Sequence, residues 1–311
     1  MKLIQLLMLK ILFISLSVIT VDANLVKQGI KNVLDVCAVE DSVYYLNQFG
    51  VVYKFHGGKY APMDLPDKII QIQSVGRAIY LLREDGSVWK FHEEKLQLLE
   101  GDLPNQQMMS VGNTLYLLKR SGGLSQYENG VPQNLVYDRN FEVMAASGHN
   151  SIFLIDSWGR LFRFDTYSKH IELADPTRNS IQLVGGDGVL YILKQNGKVF
   201  KYEDLEFHPL NFSHKVRTMA AAGDFLYFID EESQLHEYNL VIDRITQVDV
   251  DGKPQMIRIT NGKLYVVEED GDVFEYIIPS KKKQMQIQFH QMWDTPDVRM
   301  GNNGFQSSDQ K

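Results

Sequence analysis

The chain is poor in the residues and patterns that usually mark chemistry. Cys37 is its only cysteine, so no intramolecular disulfide and no thiol-rich metal site can form. Packing must therefore hold the fold. Cys37 reads as a buried, inert thiol; the other reading, an intermolecular disulfide, requires an oxidising compartment. There is no G-x-S-x-G elbow and no G-x-x-x-x-G-K-S/T phosphate loop. His92-Glu93-Glu94-Lys95 begins like a zinc-protease helix but lacks the second histidine, and the eight histidines share no spacing. Asp249-Val250-Asp251-Gly252 resembles part of a calcium loop, yet Gln247 and Arg258 stand where ligands belong, which leaves an ordinary turn. No metal, no cofactor and no catalytic residue is expected.

Positive charge is also scarce. The chain carries 32 Lys and Arg against 39 Asp and Glu, which repels nucleic acid phosphates. Lys281-Lys282-Lys283 is the only basic run. Long apolar runs are limited to the N-terminus, where Met1-Lys2 is followed by an apolar stretch from Ile11 to Val21 and small residues at Ala23. That pattern predicts a signal peptide over residues 1–23, cleaved between Ala23 and Asn24. The stretch is short for a bilayer span, which needs about 20 apolar residues; an uncleaved anchor is the alternative. The expectation is a secreted protein, extracellular or periplasmic, with no span after removal of the signal. Asn211-Phe212-Ser213 is a glycosylation sequon, relevant in a eukaryotic source.

What the chain does have is a seven-fold repeat. Ile79-Tyr80-Leu81-Leu82, Gly86, Val88 and Phe91 recur as Leu115-Tyr116-Leu117-Leu118, Gly122, Leu124 and Tyr127, and again down the chain. The turn residues are Gly50, Gly86, Gly122, Gly159, Gly197, Ser233 and Gly271, 36 to 38 residues apart. Such a period belongs to arrays and propellers. The short apolar runs bounded by turn residues are strands, and no 3.6-residue periodicity is present. Asp85-Gly86 and Asn196-Gly197 supply the positive φ of tight hairpins; Ser233 implies a strained turn or one of another type.

Each unit holds four strands. A small-residue strand such as Met219-Ala220-Ala221-Ala222 suits the crowded axis of a ring. The continuous apolar strand suits burial on both faces. A third strand alternates, and a more polar fourth, such as Ile171-Glu172-Leu173, suits an outer edge. For the seventh unit the fourth strand is expected at Met285–Phe289. The fold class is thus all-β, a seven-bladed β-propeller with four strands per blade over residues 24–290, followed by a disordered tail at 291–311. The charged position of the third strand (Lys54, Lys90, Gln126, Arg163, Lys201, Glu237, Glu275) is expected at a solvated rim.

Two groups of residues are candidate sites. Glu40, His149, Asp187, Asp224 and Asn261 follow the small strands at equivalent places and could ring one mouth of the channel; ordinary polar loop positions are the competing reading. Trp158 lies in the exposed turn Asp156-Ser157-Trp158-Gly159, where a solvent-facing indole points to recognition. Arg160 and Lys194 could assist from that turn and the next.

The stretch Ala145–Phe164, with its Gly148-His149 step, apolar strand and Gly159-Arg160-Leu161-Phe162, resembles a repeat of the RCC1-like propellers. The shorter period, and turns such as Asn196-Gly197-Lys198-Val199, resemble tectonin-type lectin repeats. The likeness spans all seven units. The Trp-Gly that RCC1-like units carry after the third strand is absent, so exchange-factor activity is not carried over. The tectonin-like resemblance implies non-catalytic, secreted recognition of glycans or microbial surfaces. The alternative reading is a scaffold that binds a protein through one propeller face, and the third is a propeller enzyme. The partner is a glycan or a protein, and the chain is expected to be a monomer.

Overall fold

The computed structural model describes residues 20–21, 26–99, 104–128, 131–136, 139–148, 150–186, 188–260 and 262–278. Among these no helix occurs. Residues 1–276 cluster as one unit and residues 277–311 as a second, of which only residues 277 and 278 are described. The tail at 291–311 and the cleavage residues Ala23 and Asn24 lie outside the described residues.

The strands form seven sheets of antiparallel neighbours. Blades 1 to 6 cover residues 33–62, 69–98, 105–136, 141–175, 180–210 and 216–248. Blade 7 takes three strands from residues 254–277 and its outer strand from Val26–Lys31. The position expected for Met285–Phe289 is therefore filled from the other end of the chain; that segment lies outside the described residues. The borrowed strand closes the ring, because it covers an edge that would otherwise present unpaired backbone groups. Thr20–Val21 adds a short parallel pairing to the outer strand of blade 6.

Each blade is built as its sequence demands. The second strand, Ser151–Asp156 in blade 4 and Phe225–Asp230 in blade 6, is buried along its whole length. Apolar clusters join one blade to the next: Tyr116 and Leu118 of blade 3 pack with Ile152 and Phe164 of blade 4. Cys37 is buried in the inner strand of blade 1, and burial pushes its thiol well above the usual range. An intermolecular disulfide through it has no access.

The inner strands line a central channel of about 590 Å³. All seven carry a bulge at their second residue, as in the shift between Phe141 and Val143. An inner strand is also a sheet edge, and four junctions satisfy it with a side chain. The Gln71 carboxamide donates to Met108 O at 2.8 Å and accepts from Met108 N–H at 2.9 Å. Gln107 does the same to Met144 and Gln182 to Met219. Asp35 accepts from Ile72 N–H at 3.1 Å. Each clip contributes on the order of 1 kcal/mol per hydrogen bond and copies the backbone pattern of a further strand.

The repeating turn residue has a structural purpose. Gly86 sits at φ 86°, and a Cβ there would lie 2.6 Å from Asn105 N in blade 3. Its carbonyl accepts the Asn105 N–H at 3.2 Å. Blade 6 keeps the same turn with Ser233, held at φ 61°, a strain of about 1–2 kcal/mol for a side-chain-bearing residue. The strained alternative is the one adopted. Blade 7 begins at Pro254, which has no N–H to donate to this turn. Arg217 spans the gap instead, reaching Pro254 O at 2.7 Å and Ser233 Oγ at 3.3 Å.

Candidate functional site

The hairpins between second and third strands share one face of the ring with the starts of the inner strands. Hydrogen bonds prove the adjacency: Phe141 N–H reaches Gly122 O, Ser180 reaches Gly159, and Val216 reaches Gly197. Two sets of positions belong to this face, the residue before the turn position in each hairpin and the bulged residue at the start of each inner strand.

Both sets differ sharply around the ring. The residue before the turn position is Asp85, Ser121, Asn196, Glu232 and Asp270 in five blades, and the bulged residue is Gln106, Glu142, Arg217 and Gln255 in four, all polar. The exceptions are apolar: Phe49 and Trp158 before the turn in blades 1 and 4, and Leu34, Ile70 and Ile181 at the bulge in blades 1, 2 and 5. Phe49 is 72% exposed and Trp158 52%. Ile70, Ile181 and Leu34 are exposed as well. The two aromatic turns are three blades apart in a ring of seven and stand nearly opposite each other across the channel.

The turns that present the aromatics are rigid. Asn47 Oδ1 accepts the N–H groups of Phe49 and Val51, each at 3.0 Å. Asp156 Oδ1 accepts those of Trp158 and Arg160 at 3.0 and 2.9 Å. The Arg160 guanidinium is bonded to Asp156 Oδ2 at 2.7 and 2.6 Å and lies 4.5 Å from the Trp158 ring. Arg160 thus belongs with Trp158, its guanidinium lying over the ring of an indole that stays half exposed.

Lys194 does not join them. Its ammonium is buried and spent on Asp175 Oδ2 at 2.6 Å, Ser180 Oγ at 2.9 Å and Thr177 Oγ1 at 3.2 Å. The sequence places Lys194 at a turn, but the outer strand of blade 4 supplies a carboxylate beneath it. The Asp175 carboxyl is held below the usual range: burial works to raise it, and the hydrogen bonds from Lys194 and Thr177 outweigh that.

Two of the five channel-mouth candidates are among the described residues. His149, Asp187 and Asn261 lie outside the described residues. Glu40 is exposed in the hairpin that follows the inner strand of blade 1 and pairs with Arg77 at 3.2 Å. It lines a pocket between blades 1 and 2 with Lys54 and His92, not the channel. Asp224 occupies the matching hairpin of blade 6, half-buried. Among the described residues that line the channel, the charged ones are Asp35 and Arg258, 3.6 Å apart. Burial raises the Asp35 carboxyl and Arg258 opposes the rise.

The third-strand charged position is not uniformly solvated. In blades 6 and 7 it is internal, with Glu237 accepting from the Tyr227 hydroxyl at 2.8 Å and Glu275 from Tyr265 at 3.1 Å. Burial pushes the Glu237 carboxyl up. A tyrosine on the neighbouring strand supplies the partner, which a strand read alone does not reveal. Asn211 is exposed beside the outer strand of blade 5.

No protein-family model matches the chain, and no curated protein matches it. Solved structures do. YCF48 bound to D1 peptide aligns with a TM-score of 0.67 at 13% identity, over 85% of this chain and 99% of that one. BBS1N in complex with ARL6DN aligns with a TM-score of 0.65 at 12% identity, over 84% and 99%. Prp20p from Saccharomyces cerevisiae, the yeast RCC1, aligns with a TM-score of 0.57 at 10% identity, over 83% and 85%. At these identities the likeness is one of fold: β-propellers, RCC1 among them.

Proposed function

We propose that this chain is a non-catalytic, monomeric propeller scaffold, secreted, whose hairpin face docks a protein across the channel mouth. The carrying observation is that Phe49 and Trp158 are exposed aromatics on a face where the same turn position is polar in the other five blades, with Ile70 and Ile181 exposed at the starts of the blades that follow. Exposed aromatic anchors set among polar residues are the pattern of protein recognition sites. Two anchors on opposite sides of an opening suit one partner that bridges them. Two similar propellers are seen with polypeptides, YCF48 with D1 peptide and BBS1N with ARL6DN. The N-terminal apolar stretch and the exposed Asn211 sequon support secretion.

Tectonin-like glycan recognition is the second reading, favoured by the exposed Trp158 indole. It fits less well, because repeated glycan sites need repeated side chains. The third-strand position runs from Lys54 to Glu275, and the aromatic turn occurs in two blades.

Photo-crosslinking from positions 49, 158 and 113 separates these readings, Asn113 being exposed in a hairpin of the other kind. The scaffold reading expects one and the same protein captured from 49 and 158, not from 113, and lost from a Phe49→Ala, Trp158→Ala double variant. Equal capture at 113, or an unaffected double variant, sinks it. Binding on a glycan array that Trp158→Ala removes establishes the second reading in its place.

A further inference from the structure

Blade 6 departs from the repeat at two places that the fold brings together. The residue after the first Val or Leu of the third strand is Tyr53, Trp89, Ser125, Phe162, Phe200 and Phe274 in the other blades, but His236 here. Two residues before the inner strand stand Lys31, Asp67, Arg139, Arg178 and Gly252 in the other blades where that position is described, but His214 here. Between the two histidines lies Asp230, the first residue of the turn and almost wholly buried.

The Asp230 carboxylate is held from one side by the turn. Its Oδ1 accepts Glu232 N–H at 3.0 Å and Gln234 N–H at 2.8 Å. Its Oδ2 faces both imidazoles, 2.8 Å from His236 Nε2 and 3.5 Å from His214 Nδ1. One donor atom from each of the three residues falls within 4.8 Å of the others. Blade 4 shows what this replaces. There Asp156 uses Oδ1 identically and gives Oδ2 to the Arg160 guanidinium. Blade 6 has Gln234 in the place of Arg160, so a fixed cation is gone and two nitrogen donors stand instead.

We propose that His214, Asp230 and His236 bind one divalent transition metal ion, zinc in class. Two imidazoles and a carboxylate are a ligand set that suits zinc, with an open position for a fourth ligand. Tetrahedral bonds of about 2.0–2.1 Å put ligand atoms roughly 3.4 Å apart. The His214–Asp230 separation already meets that, and the His236–Asp230 pair must open by about half an ångström. The His214 and His236 rings are stacked, with centroids 5.0 Å apart and planes at 26°. A metal lies in the plane of each imidazole it binds, so one ring must turn. His236 is fixed by stacking on Phe228 at 4.8 Å. His214 is a loop residue with a side chain 38% exposed, and it has the freedom to swing. The turn amides on Oδ1 orient the carboxylate, as supporting hydrogen bonds do in metal sites. The ion would lie on the hairpin face, at the junction of blades 5 and 6. The proposal stands independently of the docking reading.

The test uses the full chain without a histidine tag, stripped with a chelator. Zinc is titrated against a chromophoric chelator, and cobalt is followed by its visible absorption. One zinc per chain is expected, with a cobalt spectrum of low coordination number and a melting temperature raised by zinc. His214→Ala, a change in a half-exposed loop side chain, should weaken zinc binding more than about tenfold and abolish the melting shift. His236→Phe, which restores the residue of blades 4, 5 and 7, should do the same. Absence of saturable binding by the wild-type chain overturns the proposal. So does a His214→Ala variant that binds zinc as tightly as wild type, which would leave the histidines as hydrogen-bonding partners of Asp230 alone.

Discussion

Replacing Gly86 by alanine tests whether the repeating glycine is a turn residue or a wedge between blades. At Gly86 φ is 86°, and an added Cβ would lie 2.6 Å from Asn105 N and 2.7 Å from Pro104 Cα. Both are backbone atoms of the next blade and cannot rotate aside. Gly76, in the other hairpin of the same blade, has φ 58° and only the Asn113 side chain at 3.8 Å, an ordinary contact. Gly76→Ala should therefore cost the left-handed backbone penalty alone, about 1–2 kcal/mol. Gly86→Ala bears the same penalty plus the overlap, about 1–3 kcal/mol more. In a domain of this size each kcal/mol moves the melting temperature by about 2–4 °C. Gly76→Ala should melt lower by roughly 2–8 °C and Gly86→Ala by roughly 4–20 °C. Thermal unfolding followed by far-ultraviolet circular dichroism reads both, and the pair cancels the entropy that any glycine replacement changes. If the two variants melt together, the interblade wedge is refuted.

Two further predictions concern buried charge. Lys194→Met strands the Asp175 carboxylate and should cost about 3–5 kcal/mol in a denaturant titration. The Asp175 carboxyl is depressed in the folded state, so its contribution is complete above its ordinary value of 3.8 and is lost as the pH falls through its lower folded value. The Lys194→Met deficit should accordingly shrink in acid; a deficit independent of pH would contradict the ion pair. Glu237 has the opposite sign. Its carboxyl is raised, so stability is greatest below its ordinary value of 4.5 and falls as the pH climbs through the higher folded value. Glu237→Gln keeps an acceptor for the Tyr227 hydroxyl without the buried charge, and should melt higher than wild type at pH 7 but level with it near pH 4. Equal destabilisation at both values would show that the carboxylate is needed there.

The fold was legible because a propeller repeats its local rules. Gly86, the fully apolar run Ile79–Leu82 and the alternation after it recur because each blade meets the same neighbours. Ser233 was legible as an exception for the same reason. The candidate site was legible only in part. Trp158 stands out as an exposed indole, whereas Phe49 was missed because a phenylalanine raises no alarm until it is aligned with Asp85 and Asp270 in the turn.

The amino-acid sequence alone determined the number of blades, the order of strands within each and the position of the tight turns. These depend on residues a few places apart. Only the tertiary structure decided that Val26–Lys31 closes the ring, that Lys194 is consumed by Asp175, that Glu237 is internal and that His214 meets His236 across Asp230. Each of these joins residues from separate strands or blades, and the physical reason is the same throughout: a side chain's partners are chosen by the packing of neighbouring sheets, and no period along the chain records which sheets those are.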